Sequence, residues 1–245
     1  FDKGFEYIEK MVEVAPMRAS NYEAKVNAYT MVGEYYRENG EIEKAQDIYD
    51  ATLSIAGVLK DLNENLKKPI ILSDTVMDTI LNNRYIIENI DRPEEIKKLD
   101  KLVYMSYLDM DEKLPRGWWT WNREDGDIQV DVTEKGAVVN NNGKDLGLLL
   151  SPQIELQPST TYGIDLQVEG DVGEDYTQVV VHSRSGTATQ FSQRPLGKPS
   201  EDATYSFTFT TTDDIEAGGQ DIRLYHYGNI DKEFTVQQVM IYEIK

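Results

Sequence analysis

Residues 26–57 read VNAYTMVGEYYRENGEIEKAQDIYDATLSIAG, and the spacing of large and small residues in this stretch decides the fold of the first half of the chain. Tyr29, Val32, Gly33 and Tyr36 place large, large, small and large residues along a first helix, and Ala45, Tyr49 and Thr52 place small, large and small ones along a second. Two antiparallel helices approach closely only where small residues meet aromatic knobs, so the pattern predicts a helical hairpin. Gly40 breaks the pair and Glu41 opens its second helix.

Working outward, Phe5, Ile8, Met11 and Val12 form one face of an earlier helix that Ala15-Pro16 ends. Ser20 is the expected N-cap of the helix that follows, with Glu23 as its capping-box partner. Downstream, Ser73 is placed to cap a helix through Val76, Ile80, Leu81 and Ile87. Asp91-Arg92-Pro93-Glu94-Glu95 is a further start signal, with Pro in the first turn and acids near the positive end of the dipole. Ile96, Leu99, Val103 and Tyr107 then read as a helical stripe.

The stretch 26–57 resembles a tetratricopeptide repeat (TPR), and the helix ending at Pro16 resembles the second half of a preceding one. The step from Pro16 to Gly57 is 41 residues rather than the 34 of that repeat, so about two helical turns are inserted between Met17 and Lys25. The resemblance implies binding or scaffolding rather than chemistry. It turns Asn27, Thr30, Glu34 and Arg37 toward a groove for a protein partner, or toward packing within the chain. The first half is also similar to the soluble TPR-bearing tails of O-antigen ligase or polymerase-like membrane proteins of Gram-positive bacteria. That resemblance implies an extracellular tail of a membrane-anchored protein, with the glycosyl-polymer chemistry in the membrane part.

Composition changes near Leu114-Pro115-Arg116-Gly117. This is the expected boundary between a helical domain, 1–114, and a β domain, 115–245. Beyond it, Tyr162, Ile164, Leu166 and Val168 alternate with polar residues, as do Tyr205, Phe207 and Phe209, Val179 and Val181, and Ile222 and Leu224. Asn140-Asn141-Asn142-Gly143 and Gly218-Gly219 are turn signals. About eight strands without intervening helices predict an antiparallel β-sandwich, giving a multidomain α + β chain. The order GWWTWN (117–122), SPQIELQPSTTYGIDLQV (151–168), ATYSFTFTTTDD (203–214), QDIRLYHYG (220–228) and FTVQQVMIYEIK (234–245) resembles the galactose-binding-like jelly-roll carbohydrate-binding modules. That resemblance implies a glycan ligand.

Several residues carry a functional and a structural reading side by side. Trp119 and Trp121 share a face and offer rings for sugar stacking, or they fill the sandwich core with Trp118. Arg223, Tyr225 and Tyr227 on one strand and Gln178, His182 and Arg184 on another line one face, as sugar ligands or as a solvated surface. Glu124, Asp125 and Asp127 near a turn offer oxygen ligands to a structural calcium, or are simply solvated.

The exclusions are broad. Net charge is −19, with 44 acidic against 25 basic residues, and both halves are acidic, so no basic face for nucleic acid or an anionic membrane is expected. There are no cysteines, hence no disulfide, thiol catalysis or zinc–thiolate site. No run of ~18 apolar residues is present to span a bilayer. Neither histidine, His182 or His226, sits in a metallopeptidase or triad-like motif, and no phosphate-binding loop occurs, so the segment is expected to be non-catalytic and to need no cofactor. It starts inside a helical pattern without an initiator Met and is expected to be part of a longer polypeptide. The leading expectation is an extracellular accessory region of a bacterial cell-envelope protein that binds or positions glycan. The alternative is a protein-interaction scaffold using the TPR groove, with the sandwich as spacer.

Overall fold

A computed structural model describes residues 1–244 except 111–112, 173–175, 185, 216–218 and 229–231; Gly218 of the expected Gly218-Gly219 turn lies outside the described residues. The chain divides into two units, Phe1–Leu99 and Asp100–Lys245.

The first unit is helical: α1 (Asp2–Val14), α2 (Ala19–Glu38), α3 (Ile42–Asn63), α4 (Asp74–Glu88) and the short α5 (Pro93–Ile96). α2 and α3 form the hairpin that 26–57 predicts. A Cβ on Gly33 would lie 2.7 Å from Cε1 of Tyr49, so the missing side chain is what admits this fully buried ring. Gly40 takes a φ of 75°, which ends α2 in the left-handed region. Tyr49 donates its hydroxyl proton to Glu34 Oε2 at 2.8 Å, and Arg37 pairs with the same carboxylate. The Arg37 hydrogen bond holds the Glu34 carboxyl below its ordinary range; burial works against this and the Tyr49 hydrogen bond reinforces it. α4 closes the unit through Asn83, whose Nδ2 donates to Thr30 Oγ1 at 2.7 Å and Thr52 Oγ1 at 3.0 Å.

Two local expectations fail. α2 begins at Ala19, with Arg18 at the N-cap position and no side-chain cap, so Ser20 is inside the helix. The turn after Pro16 already offers the Arg18 carbonyl, which accepts from Asn21 N–H at 3.0 Å. Glu23 instead accepts from the backbone N–H of Ser73 at 2.9 Å, just ahead of α4. The expected stripe Ile96, Leu99, Val103 and Tyr107 is not one helix. α5 ends at Ile96, a 3₁₀ turn covers Lys97–Lys101, and Leu102–Tyr107 is strand β1. Pairing of β1 with the last strand overrides the helical period. The second unit therefore starts ahead of the compositional break at Leu114.

That unit is an antiparallel β-sandwich. Its further strands are β2 (Trp119–Asn122), β3 (Ile128–Thr133), β4 (Gly136–Asn141), β5 (Gly147–Leu150), β6 (Thr161–Gly170), β7 (Thr177–Ser183), β8 (Thr189–Gln193), β9 (Thr204–Thr210), β10 (Gln220–His226) and β11 (Phe234–Ile244). One sheet runs β3-β4-β11-β6-β9 and the other β2-β5-β10-β7-β8. β11 pairs with β6 along one side. On its other side Phe234–Val236 pair with β4, and Gln238–Tyr242 pair with β1. The irregularity between Val236 and Gln238 reverses the alternation, so Phe234 and Val236, then Val239 and Ile241, all reach the core.

The core lies between the sheets. Tyr162, Ile164, Leu166 and Val168 meet Leu149, Val179, Val181, Ile222 and Leu224 there, as their alternation predicts. Phe191 of β8 packs on Phe207 and Phe209 of β9, at 5.6 and 5.4 Å between ring centroids, and joins the sheets at one edge.

A candidate glycan-binding face

With Leu149, Ile222, Leu224, Val179 and Val181 turned inward, the residues between them form the outer face of the five-stranded sheet. The registers set them in rows. Trp119 lies opposite Leu150, which lies opposite Arg223, then Val180, then Ser192. Trp121 lies opposite Leu148, then Tyr225, then Gln178.

The three neighbouring tryptophans have different fates. Trp118 is 6% exposed, belongs to the core, and donates its indole N–H to the Tyr104 hydroxyl at 2.8 Å. Trp119 and Trp121, on edge strand β2, are 41% and 42% exposed. Beside them Leu146, Leu148 and Leu150 make a small buried apolar cluster, and Tyr225 and Tyr227 pack against it. The two tyrosine rings stack at 6.3 Å and 28°.

The polar residues are held in place by one another. The Tyr227 hydroxyl donates to Gln178 Oε1 at 2.7 Å, and Gln178 Nε2 donates to Ser192 Oγ at 2.8 Å. The Arg194 guanidinium lies 4.2 Å from the centroid of the Tyr227 ring. Arg223 donates Nε–H to Asp221 Oδ1 at 2.6 Å and an Nη2 proton to the Ser183 carbonyl at 3.3 Å. Asp221 is 1% exposed, so its charge is matched by Arg223 rather than by water. His182 is opposite Asp221, with Nδ1 2.7 Å from the Ser183 carbonyl. A carbonyl only accepts, so Nδ1 carries the proton in this contact. Arg184 follows β7 directly, is exposed, and donates its backbone N–H to the Gly219 carbonyl at 3.1 Å.

Trp119, Trp121, Gln178, His182, Arg223 and Tyr225 thus share one face, with Arg184 and Tyr227 just beyond the ends of its strands. Chemically it combines exposed rings on one side with guanidinium, amide and imidazole groups on the other. Rings pack on the C–H faces of a pyranose, and planar donors and acceptors pair with its hydroxyls. Sequence reasoning missed Asp221, Ser192, Arg194 and the three leucines. An acid on a strand reads as solvated, and only the register reveals that Asp221 fixes Arg223.

The other candidates belong to the helical unit and to the turn between β2 and β3. Asn27 is exposed, Thr30 is bonded by Asn83, and Glu34 and Arg37 pair with each other beside Tyr49. Glu124, Asp125 and Asp127 lie between β2 and β3. The Asp125 carbonyl accepts from Lys144 N–H at 2.7 Å and Asp127 Oδ1 from Gln129 Nε2 at 2.6 Å. Among the described residues no group of three or more His, Cys, Asp or Glu side chains is placed to hold a metal ion. Among the described residues, no helix is long and apolar enough to cross a membrane.

Among solved structures, the chain is similar to BiXyn10A CBM1 in its apo form, at 14% identity and a TM-score of 0.43, covering 58% of this chain and 99% of that one. It is similar to a structure described as "CBM4 structure and function", at 17% identity and a TM-score of 0.41, covering 52% and 86%. It is also similar to a carbohydrate binding module (CBM6cm-2) from Cellvibrio mixtus lichenase 5A in complex with cellotriose, at 13% identity and a TM-score of 0.34, covering 59% and 99%. No curated protein matches the chain. Residues 106–221 match the model of the family described as "Carbohydrate binding domain", and this span lies within the sandwich unit.

Proposed function

We propose that this chain is a non-catalytic glycan-binding segment that engages its ligand on the outer face of the five-stranded sheet. The observation that carries this reading is the pair Trp119 and Trp121, which stay exposed beside a buried leucine cluster on a strand within the family match. Two large indoles left in water on one face are costly unless a ligand covers them. Sugar rings would stack on Trp119 and Trp121, while Gln178, Arg223 and His182 exchange hydrogen bonds with hydroxyls. The carboxylate on this face, Asp221, is buried and paired, which suits binding rather than acid–base work.

The wider setting follows from the resemblance of the helical unit to TPR-bearing tails of O-antigen ligase-like proteins. In this reading the segment is extracellular, belongs to a membrane-anchored cell-envelope protein of a bacterium, and holds glycan near a polymer ligase or polymerase. The absence of cysteine suits a bacterial exterior that does not rely on disulfides.

A glycan array tests the binding itself. Binding by the intact chain should fall at least about tenfold in Trp119→Ala and in Tyr225→Ala, with both variants still folded at the assay temperature; each truncation removes about 1–3 kcal/mol of ring contact. Trp118→Ala should instead destabilise the fold by about 3–5 kcal/mol, as a core truncation does. A folded chain that binds nothing across a broad array would sink the proposal.

A further inference from the structure

We infer that the ligand of this face is an acidic glycan, with carboxylate groups spaced along the chain. The inference rests on the glycan-binding reading and names its substrate class.

It starts from how charge is distributed. The chain carries 44 acidic residues, yet the five strands of this sheet read WTWN, GLLL, QDIRLYH, TQVVVHS and TQFSQ and hold one carboxylate, Asp221. That one is buried against Arg223. Elsewhere on the same sandwich, strands β3, β6 and β11 carry Asp131, Asp165, Glu169 and Glu243.

Arginines occupy the positions that acids avoid. Arg223 is central on β10. Arg184 is the residue after β7, and Arg194 is the residue after β8. Both continue the outward-facing alternation of their strands. β10 and β8 run in the same direction and β7 in the opposite one. Arg194, placed over Tyr227 just past the end of β10, therefore marks one end of the face. Arg184, bonded to Gly219 just before β10, marks the other, and Arg223 lies between.

The three guanidiniums thus run along one side, Trp119 and Trp121 along the other, with Leu148 and Leu150 between. A neutral sugar chain needs the rings and a few mixed donors and acceptors. It does not need three groups that only donate and are always charged. A uronate chain lying along β10 stacks its rings toward β2 and presents carboxylates toward β7 and β8, where guanidiniums bind them with paired N–H groups. Asp221 positions Arg223 for this by fixing Nε. Because the chain as a whole is strongly anionic, indiscriminate capture of polyanions is disfavoured, so retention of one requires a local site.

The test titrates the full chain with oligomers of polygalacturonate, alginate and hyaluronan, each alongside its carboxyl-reduced counterpart. At least one acidic oligomer should bind about tenfold or more tighter than its reduced form. Arg223→Gln and the Arg184→Gln, Arg194→Gln pair should each erase most of that preference. Lys135→Ala, which removes a charge from the β3–β4 turn of the opposite sheet, should leave it intact. Trp121→Ala should weaken acidic and reduced forms alike. Equal or tighter binding of the reduced forms, or binding of neutral glycans only, overturns the acidic assignment and leaves the glycan-binding reading standing. No binding to these oligomers or to a neutral glycan array overturns both.

Discussion

At the residue scale, each unit holds a carboxylate against an arginine two or three residues further along the same helix or strand, the one in the helical unit half-exposed and the one in the sandwich buried. Glu34 with Arg37 and Tyr49 is the helical case, and Asp221 with Arg223 the sandwich case. The Glu34 carboxyl is held below its ordinary range chiefly by Arg37. A depressed folded value means stability that is complete above the unfolded carboxylate value, about 4.3, and lost as pH falls through the folded one. The melting temperature of the helices, followed at 222 nm, should therefore fall over the window below about pH 4.3. Glu34→Gln should be less stable at pH 7 and should show a smaller drop over that window. An equal drop in both proteins would assign the acid sensitivity to other carboxylates.

At the element scale, β1 shows where sequence and structure part. Leu102–Tyr107 continues the spacing of Ile96 and Leu99, so it reads as helix, and nothing local contradicts that reading. Its partner, β11, is more than a hundred residues away, and only the pairing Leu102–Tyr242 through Tyr107–Gln238 makes it a strand. By contrast β6, β7, β9 and β10 were legible because each sends alternate apolar residues into the core between the sheets, a period that a single stretch carries by itself. The hairpin of α2 and α3 was legible for a related reason, since Gly33 and Tyr49 need each other at fixed spacing. The Trp119–Trp121 pair could be placed on one face, but its choice between core and surface depended on β2 being an edge strand. β1 covers the part of β11 that β4 does not reach, and its own Tyr104 accepts the Trp118 indole bond. A fragment starting at residue 115 should therefore melt well below one starting at residue 100, and it should aggregate through the bared edge of β11. Equal melting temperatures for the two fragments would show that β1 is dispensable to the sandwich.

At the scale of the whole molecule, all three tryptophans belong to the unit Asp100–Lys245 and none to Phe1–Leu99. Tryptophan fluorescence therefore reports the sandwich, while ellipticity at 222 nm is dominated by the helices. This division lets one experiment locate the ligand without assuming where it binds. A ligand that binds only the folded state stabilises it by about 2.7 kcal/mol at a hundred times its dissociation constant. For a domain of 100–150 residues, that corresponds to a rise of roughly 8–15 °C in the melting temperature. An oligosaccharide held on β2, β5 and β10 should raise the fluorescence-detected transition by that amount and quench or shift the emission of the exposed Trp119 and Trp121 at saturation. Trp119→Ala, Trp121→Ala should remove both effects while Trp118 still reports unfolding. If the ligand raised only the transition seen at 222 nm, the binding site would lie in the helical unit, and the candidate residues Asn27, Thr30, Glu34 and Arg37 would be the ones to mutate next.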